Sequence, residues 1–217
     1  MSRDPLDRYY TPPRFADAIC DYLAREGCMP ASILDPSAGG GHLLARARLR
    51  WPDAKTLGAD VDPEATGHEH CTERWLHFDW LSAPVGGAPE RADLVLTNPP
   101  YRGAVDHLER SIAAADKWCV AILRGTILES DARVDFWRHH PPWRVLRCVQ
   151  RVSFIGTGSS DTVSPSVIIW RTGGMWSAET TMDLLDWRGR HGDPAVGVWQ
   201  SLPRPRLRSR WPRRPPC

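Results

Sequence analysis

The sequence predicts one α/β domain in which a mostly parallel, twisted sheet carries helices on both faces. Between residues 16 and 170, short apolar segments with strand character alternate with segments of helical spacing. This alternation is typical of parallel sheets, because a crossover between parallel strands usually contains a helix. A chain of 217 residues has room for one such domain with a sizeable core and for little more.

The individual elements follow from the apolar runs and from the helical spacing. The predicted strands are Ser32–Leu34, Thr56–Ala59, Leu94–Thr97, Trp118–Leu123, Val145–Val149 and Ser166–Trp170. The predicted helices are Ala16–Glu26, Leu43–Arg50, Pro63–Trp75, Ala104–Ala115 and Ala132–His139. The pattern decays after residue 172, so residues 1–172 are predicted to form the domain. Residues 173–217 are expected to be a C-terminal extension that ends in a flexible tail of alternating Pro and Arg.

Composition argues against several classes of protein. No apolar run approaches the roughly 20 residues that span a membrane, and the N-terminus does not resemble a signal peptide. The six cysteines lack metal-binding spacing, so we expect reduced thiols, a cytoplasmic location and no metal. The net charge is only +2, but Lys occurs only at positions 55 and 117 and the other basic residues are Arg. Arg favours bidentate contacts with phosphate, although a GC-rich genome produces the same bias.

One apolar strand runs directly into Asn98-Pro99-Pro100-Tyr101. Two consecutive prolines continue neither a sheet nor a helix, so the strand ends there in a rigid turn. Such a turn fixes an amide side chain and backbone carbonyls beside an aromatic ring. Acceptors next to a flat ring suit a planar molecule that carries an exocyclic amino group. The alternative is a simple strand-ending turn without a ligand.

A glycine loop lies upstream of this motif. Ile33-Leu34 end an apolar run, Asp35 follows, and Gly39-Gly40-Gly41 precede a segment of helical spacing. Consecutive glycines allow a ligand to approach the backbone closely. The loop lacks the Lys-Ser/Thr of a phosphate-binding loop, and the acidic residue before it favours a ligand with an amine. The alternative is a glycine-rich turn with no ligand.

Two further acidic residues follow predicted strands or apolar segments. Asp60 lies about 20 residues beyond the glycine loop, where an acidic residue usually binds ribose hydroxyls, and Val61 would then lie against an adenine. Asp79 lies between two aromatic residues, so it is a candidate acceptor for an adenine amino group with Trp80 covering the ring. Taken singly, each Asp also suits a surface cap or turn. The order of the four signals is what favours a nucleoside site.

This order resembles that of the S-adenosylmethionine-dependent N6-adenine DNA methyltransferases, in the gamma-like arrangement. The family places an N-terminal Tyr-x-Thr-Pro element before the glycine loop and the Asn-Pro-Pro-Tyr motif after it. The matching segments are Arg8–Pro12, Asp35–Gly41, Asp60–Pro63, Phe78–Trp80 and Asn98–Tyr101. A weaker similarity to small phage-borne members continues to Trp170.

The resemblance implies a Rossmann-like class I methyltransferase fold, S-adenosylmethionine as cofactor, and DNA with a flipped-out adenine as partner. It implies catalytic roles for Asn98, Pro99, Pro100 and Tyr101. It implies cofactor-binding roles for Tyr10, Thr11, Pro12, Asp35, Pro36, Ala38, Gly39, Gly41, Asp60, Val61, Asp79 and Trp80. Tyr101 and Phe154 are the implied rings that stack on the target base, with a core position as the alternative for Phe154.

Two segments have weaker indications. The polar loop Gly156–Thr162 is either a cover for a target nucleotide or a hairpin connection. The tail arginines between Leu202 and Cys217 suit either phosphate binding or a solubilising end.

Three other functions remain open at this stage. Protein-glutamine methyltransferases also carry Asn-Pro-Pro-Tyr, but they usually have an extra N-terminal helical domain and lack the early Tyr-x-Thr-Pro. Methylation of an RNA base fits the same motifs. A non-catalytic nucleic-acid-binding module with a relic pocket is the third alternative, against which the intact Asp35, Asp60, Asp79 and Asn98 argue. No large target-recognition domain is evident, so the recognition sequence is not predicted.

Overall fold

A computed structural model describes residues 10–152, 154, 164–173 and 179–188. The strands are β1 (Ser32–Asp35), β2 (Lys55–Asp60), β3 (Arg74–His77), β4 (Ala92–Thr97), β5 (Ala115–Arg124), β6 (Arg144–Cys148), β7 (Pro165–Arg171) and β8 (Thr181–Leu185). The α-helices are α1 (Pro13–Arg25), α2 (His42–Arg50), α3 (Ala104–Ala114) and α4 (Val134–His139). Short 3₁₀ helices cover Gly67–His70, Trp80–Ser82, Gly125–Leu128 and Asp131–Arg133.

All eight strands belong to one sheet, in the order β3-β2-β1-β4-β5-β7-β6-β8. Every neighbouring pair is parallel except the two pairs that include β7, which runs antiparallel to both β5 and β6. The strand order reverses between β1 and β4, because the chain first builds outward to β3 and then returns to the other side of β1. The predicted mostly parallel α/β sheet is confirmed.

Helices cover both faces of this sheet. On one face, α1 and α2 bury Phe15, Ile19 and Leu44 against the sheet. On the other face, α3 and α4 bury Leu108 and Phe136 against the alternate strand residues. Because strand side chains alternate between the faces, each central strand contributes to both cores and reads as a nearly continuous apolar run.

Backbone geometry explains where the helices begin and end. Pro13 occupies the first turn of α1, where its missing N–H costs no hydrogen bond. Gly41 before α2 and Gly103 before α3 have φ values of 71° and 72°, in the left-handed region that favours glycine. The glycine loop therefore leads into α2 through a sharp turn.

The helix predicted over Pro63–Trp75 is wrong. Only the 3₁₀ helix Gly67–His70 forms there, and Arg74–His77 become β3, which pairs in parallel with β2. Gly67 packs against the glycine loop, where an added Cβ would lie 2.8 Å from Gly39 O and Gly41 N. This contact and the hydrogen-bonding groups along β2 outweigh the local helical spacing.

The predicted domain boundary at residue 172 is also too early. Strand β8 pairs in parallel with β6 over five residue pairs. Leu185 and Trp187 are 4% and 8% exposed and belong to the same core as α1. The sequence pattern decays here because β8 lies at the sheet edge, where only some of its side chains face the core.

Some predictions lie outside the described residues. These are Arg8 and Tyr9 of the N-terminal element, the loop Gly156–Thr162, and the tail from Leu202 to Cys217. Within the described ranges, no helix is both long and apolar enough to cross a membrane.

Candidate active site

A cavity opens where the strand order reverses, beyond the carboxyl ends of β1, β2 and β4. Ligands of open α/β sheets bind at this position, because the diverging loops leave a crevice there. Including its open mouth, the cavity encloses about 990 Å³. Its lining residues are Tyr10, Thr11, Asp35, Pro36, Ser37, Ala38, Gly39, His42, Leu43, Asp60, Val61, Asp62, Phe78, Asp79, Trp80, Leu81, Asn98, Pro100 and His107.

The structure brings most of the predicted site residues to this cavity. Five members of the predicted set are not part of the lining: Pro12, Gly41, Pro99, Tyr101 and Phe154. Their places in the chain explain this. Pro12 caps α1 through its carbonyl, and Gly41 is the turn residue that starts α2. Within the Asn-Pro-Pro-Tyr motif, Pro99 is buried and Tyr101 is partly exposed.

The glycine loop is held by the end of β2. One oxygen of the Asp60 carboxylate accepts a hydrogen bond from Gly39 N–H at 2.7 Å, and the other accepts from Asp62 N–H at 2.8 Å. The Gly39 carbonyl in turn accepts from Gly67 N–H at 2.9 Å. Asp60 therefore has a structural function that sequence reasoning did not assign to it, because it shapes the loop beside which a ligand would bind.

Asp35 is the most perturbed acid of the cavity. It ends β1 and is only 2% exposed. Burial raises the pKa of this carboxyl to about 7, although a hydrogen bond from Ser37 N–H at 3.1 Å acts in the opposite direction. Near neutral pH such an acid is only partly ionised, and a neighbouring cation would favour its ionised form, so its chemistry suits an amine or another positively charged group.

Asp79 and Trp80 form the wall beyond β3. Asp79 caps the short helix Trp80–Ser82, because its carboxylate accepts from Leu81 N–H at 3.0 Å. Trp80 is 3% exposed, and its ring lies 6.4 Å from the rings of both Phe78 and His107. Asp79 is itself exposed, so a carboxylate and an indole edge meet at this end of the cavity.

The N-terminal segment closes the cavity from the other side. Thr11 is 3% exposed, and its hydroxyl accepts a long hydrogen bond of 3.4 Å from Asn98 Nδ2. This contact joins the Asn98 amide to the N-terminal segment. Tyr10 lies over the glycine loop, with its ring 4.9 Å from the His42 ring. The Tyr-x-Thr-Pro element and the Asn-Pro-Pro-Tyr motif therefore meet in space.

Tyr101 carries a cation on one face of its ring. The Arg124 guanidinium carbon lies 4.2 Å from the Tyr101 ring centre. Arg124 ends β5, where its backbone pairs with Pro165 of β7. Within the described part of the chain, no carboxylate forms an ion pair with Arg124. The sheet therefore fixes the backbone of the residue that carries this cation.

Phe154 is not brought to the cavity. Its side chain is 5% exposed and makes an edge-on contact with Phe15 of α1, at 6.2 Å between ring centres. It belongs to the core on the α1 face of the sheet. This placement supports the core alternative for Phe154 and not the stacking role, because the ring is already covered on the apolar side of the sheet.

Seven lining residues were not among the predicted site residues, namely Ser37, His42, Leu43, Asp62, Phe78, Leu81 and His107. Two of them, Ser37 and His107, are hydrogen-bonded to each other. Ser37 Oγ and His107 Nε2 are 2.7 Å apart, and Ser111 Oγ lies 3.2 Å from His107 Nδ1. His107 is 1% exposed, and burial lowers its pKa to about 3, so the ring is neutral at physiological pH. Its position within α3 was predictable, but no local motif indicated that α3 would place it against the glycine loop.

A metal site is not evident in the described ranges, where no group of three or more His, Cys, Asp or Glu side chains has a suitable arrangement. His70 instead contacts Glu69 at 3.2 Å, and the Cys71 thiol lies 3.8 Å from the Gly67 carbonyl oxygen.

Comparison with solved structures identifies the class of fold. A protein from Listeria monocytogenes, described as a class I S-adenosylmethionine-dependent methyltransferase, superimposes with a TM-score of 0.64 at 15% sequence identity. The superposition covers 83% of this chain and 67% of that protein. The chain therefore has the class I methyltransferase fold.

Sequence relatives are methyltransferases with different substrates. The malonyl-[acyl-carrier protein] O-methyltransferase of Hahella chejuensis is 35% identical over 81 residues, which are 35% of this chain and 28% of the relative. The tRNA1(Val) (adenine(37)-N6)-methyltransferase of Vibrio parahaemolyticus is 26% identical over 110 residues, 48% of this chain and 46% of the relative. The type II methyltransferase M.XamI of Xanthomonas campestris pv. amaranthicola is 38% identical over 56 residues, 26% of this chain and 10% of the relative.

The chain spans less than half the length of each of these three relatives. No family model matches it.

Proposed function

We propose that this chain transfers a methyl group from S-adenosylmethionine to the exocyclic N6 of adenine in a nucleic acid, with DNA as the first candidate. The observation that carries the proposal is the position of Asn98. Its amide lies on the wall of the same cavity as the glycine loop, beside Thr11 of the N-terminal element. In the proposed reaction, the cofactor and the group that accepts from the target amino group would therefore be neighbours.

The cavity fits S-adenosylmethionine by the chemistry of its lining. The cofactor has a cationic sulfonium and ammonium, two ribose hydroxyls and an adenine ring. Four acidic side chains line the cavity, Asp35, Asp60, Asp62 and Asp79, while no Lys or Arg among the described residues does so. Val61 and Trp80 offer apolar surface for a ring. When bound, the cofactor supplies an electrophilic methyl group on its sulfur.

Asn98 and Pro99 would prepare the acceptor nitrogen. The lone pair of an exocyclic amino group is conjugated with its ring and is therefore a poor nucleophile. The Asn98 side-chain oxygen and the Pro99 carbonyl would accept hydrogen bonds from the two amino hydrogens. These bonds would draw the lone pair out of conjugation and orient it for in-line transfer, and such positioning supplies much of the rate.

Tyr101 and Arg124 support a nucleic acid as the partner. The Arg124 guanidinium carbon lies 4.2 Å from the Tyr101 ring centre, and we expect this ring to stack on a flipped-out base. The guanidinium forms no ion pair within the described ranges, and its donors match the geometry of a phosphate. In this proposal, Tyr101 would stack on the base and Arg124, which lies beside it, would contact the adjoining phosphate.

RNA is the second candidate substrate. The relative aligned over the largest share of this chain among the three, from Vibrio parahaemolyticus, is described as a tRNA adenine-N6-methyltransferase, whereas M.XamI is described as a type II methyltransferase. Both RNA and DNA offer the same adenine edge and the same phosphates, so the described residues favour neither by their chemistry. DNA is placed first because of the gamma-like motif order.

The test is incubation with radiolabelled S-adenosylmethionine and separate pools of DNA, RNA and protein, followed by digestion and mass analysis. N6-methyladenine in the DNA pool is the expected product, and the Asn98→Ala variant is the negative control. N6-methyladenine in RNA alone would replace DNA by the second candidate. Methylated cytosine would show that the target base is not adenine, and methylated glutamine would show that the substrate is a protein. Cofactor binding without any methylated product would indicate a non-catalytic nucleic-acid-binding module.

A further inference from the structure

Three hydrogen-bonded side chains, Ser111, His107 and Ser37, connect α3 to the glycine loop. Ser111 and His107 lie one turn apart on α3, and the His107 ring reaches across to Ser37, which follows Asp35 by two residues. Ser111 is fully buried and His107 is 1% exposed, whereas Ser37 lies on the cavity wall at intermediate exposure. These hydrogen-bonded side chains therefore extend from the protein interior to the cavity surface.

The available partners of each polar atom determine which group donates and which accepts in these two hydrogen bonds. Among the described residues, the only partner of the buried Ser111 hydroxyl is His107 Nδ1 at 3.2 Å. If Nδ1 carried the proton, the Ser111 hydrogen would be buried without an acceptor, which costs about 1–3 kcal/mol. Ser111 therefore donates to Nδ1, and the neutral ring carries its proton on Nε2.

The state of Ser37 follows from that tautomer. His107 Nε2–H donates to Ser37 Oγ at 2.7 Å. A hydroxyl that accepts a hydrogen bond keeps its own hydrogen for another partner. Ser37 therefore presents an O–H donor to the cavity, and the His107 ring fixes the position of its oxygen.

The lining of the cavity indicates which ligand group needs this donor. The amino-acid end of S-adenosylmethionine has an ammonium and a carboxylate. The ammonium finds acceptors readily, because four carboxylates line the cavity. The carboxylate has no lining Lys or Arg to pair with in the described ranges, and the Thr11 side chain is only 3% exposed, whereas Ser37 is partly exposed. Ser37 is therefore the lining hydroxyl best prepared to donate to an anion.

We propose that Ser37 binds the carboxylate of the cofactor's amino-acid end and that His107 is the positioning residue that holds the Ser37 hydroxyl as a donor. This inference rests on the proposed cofactor and goes beyond it, because it assigns a function to Ser37, for which the resemblance implied none, and to His107, which lies outside the matching segments. It does not depend on the identity of the methyl acceptor.

The experiment compares two ligands in calorimetric titrations of the full chain. S-adenosylhomocysteine has the amino-acid end, whereas 5′-methylthioadenosine keeps the nucleoside and sulfur but lacks both the ammonium and the carboxylate. Ser37→Ala and His107→Leu are each expected to weaken S-adenosylhomocysteine about tenfold, the value of one lost hydrogen bond to a charged group. Neither substitution is expected to change the affinity for 5′-methylthioadenosine by more than about twofold.

A double-mutant cycle and a rescue test the coupling between the two residues. Because both substitutions remove the same contact, the double variant should bind S-adenosylhomocysteine no more weakly than His107→Leu alone. His107→Gln, whose amide nitrogen can take the place of Nε2, should recover most of the affinity. Thermal unfolding of each variant shows whether it is folded, and Ser37→Ala tests the proposal even if His107→Leu does not fold.

Three results would overturn the inference. If a substitution weakened the binding of both ligands equally, the hydrogen bonds among Ser111, His107 and Ser37 would be a purely structural contact between α3 and the loop. Unchanged binding of S-adenosylhomocysteine by Ser37→Ala would contradict a contact between Ser37 and the ligand carboxylate. Additive losses of affinity in the double variant would contradict the positioning role of His107. Failure of the wild-type chain to bind either ligand would instead contradict the proposed cofactor itself.

Discussion

The Asp60 carboxylate accepts a hydrogen bond from the backbone N–H of Gly39 at 2.7 Å, across 21 residues of sequence. This bond joins the end of β2 to the glycine loop that follows β1. Because the second carboxylate oxygen accepts from Asp62 N–H, a single side chain organises two of the loops that line the cavity. The same residue is the proposed ligand of the ribose hydroxyls, so loop geometry and ligand binding are coupled through Asp60.

Replacing Asp60 with Ala is therefore expected to weaken S-adenosylhomocysteine by about 1–3 kcal/mol, the range for lost hydrogen bonds to a charged acceptor. Calorimetric titration measures the change. Asp53→Ala is the control, because Asp53 is exposed in the turn before β2. Wild-type affinity in the Asp60→Ala variant would contradict the role of this carboxylate in the site.

The raised pKa of Asp35, about 7, predicts pH-dependent cofactor binding. A cationic ligand favours the ionised carboxylate, which is the minor form below pH 7 in the free protein. Affinity for S-adenosylmethionine should fall about tenfold between pH 8 and pH 6 if only the ionised form binds. In Asp35→Asn this dependence should vanish, and titrations at several pH values in both proteins would show it. A flat wild-type profile would count against a cation beside Asp35.

The same group predicts the sign of a stability change. Folding raises the pKa of Asp35 above its usual value of 3.8, so the folded chain binds more protons than the unfolded chain between about pH 4 and pH 7. The contribution of Asp35 to the free energy of unfolding is therefore greatest at acid pH and is lost as pH rises through 7. Denaturant unfolding of wild type and Asp35→Asn across this window measures the difference, which should shrink toward acid pH.

Asn98→Ala should abolish methyl transfer while largely preserving cofactor affinity. The substitution removes the acceptor for the target amino group, whereas the glycine loop and the acidic side chains remain. Single-turnover transfer to the DNA pool and calorimetry with S-adenosylhomocysteine separate the two effects. Loss of cofactor binding in a folded variant would show that Asn98 mainly shapes the cofactor pocket.

Tyr101→Ala and Arg124→Gln should weaken nucleic-acid binding in different ways. Removal of the ring costs about 1–3 kcal/mol for one lost stacking partner, with little change in salt dependence. Removal of the guanidinium should reduce the slope of log affinity against log salt by about one. Arg74→Gln on β3 is the matched cation control, since Arg74 is paired with Glu90. Identical salt slopes for wild type and Arg124→Gln would exclude a phosphate contact by this residue.

Strand β8 is expected to be necessary for stability although it lies beyond the region of clear sequence pattern. Leu185→Ala removes a side chain that is 4% exposed and should lower the free energy of unfolding by about 2–5 kcal/mol. The preceding Leu184 is 47% exposed, so Leu184→Ala should have a much smaller effect. Chemical denaturation compares the two directly, and equal effects would place β8 outside the cooperative domain.

The sequence alone determined the sheet, its central strands and the order of the site motifs. Buried parallel strands are apolar on both faces, so β1, β4 and β5 stand out as continuous apolar runs. The carboxyl ends of such strands share one edge of the sheet, and for that reason the sequence predicts that Asp35, Asp60 and Asn98 are neighbours.

Tertiary structure decided the features that depend on contacts between distant segments. Arg74–His77 form a strand because β2 offers an unpaired edge, and β8 forms because β6 does the same. Phe154 packs into the core against Phe15, and His107 reaches the glycine loop from α3, although neither position carries a local signal. Local propensity is weak compared with pairing and burial across the sheet, so these placements become definite only once the whole sheet is assembled.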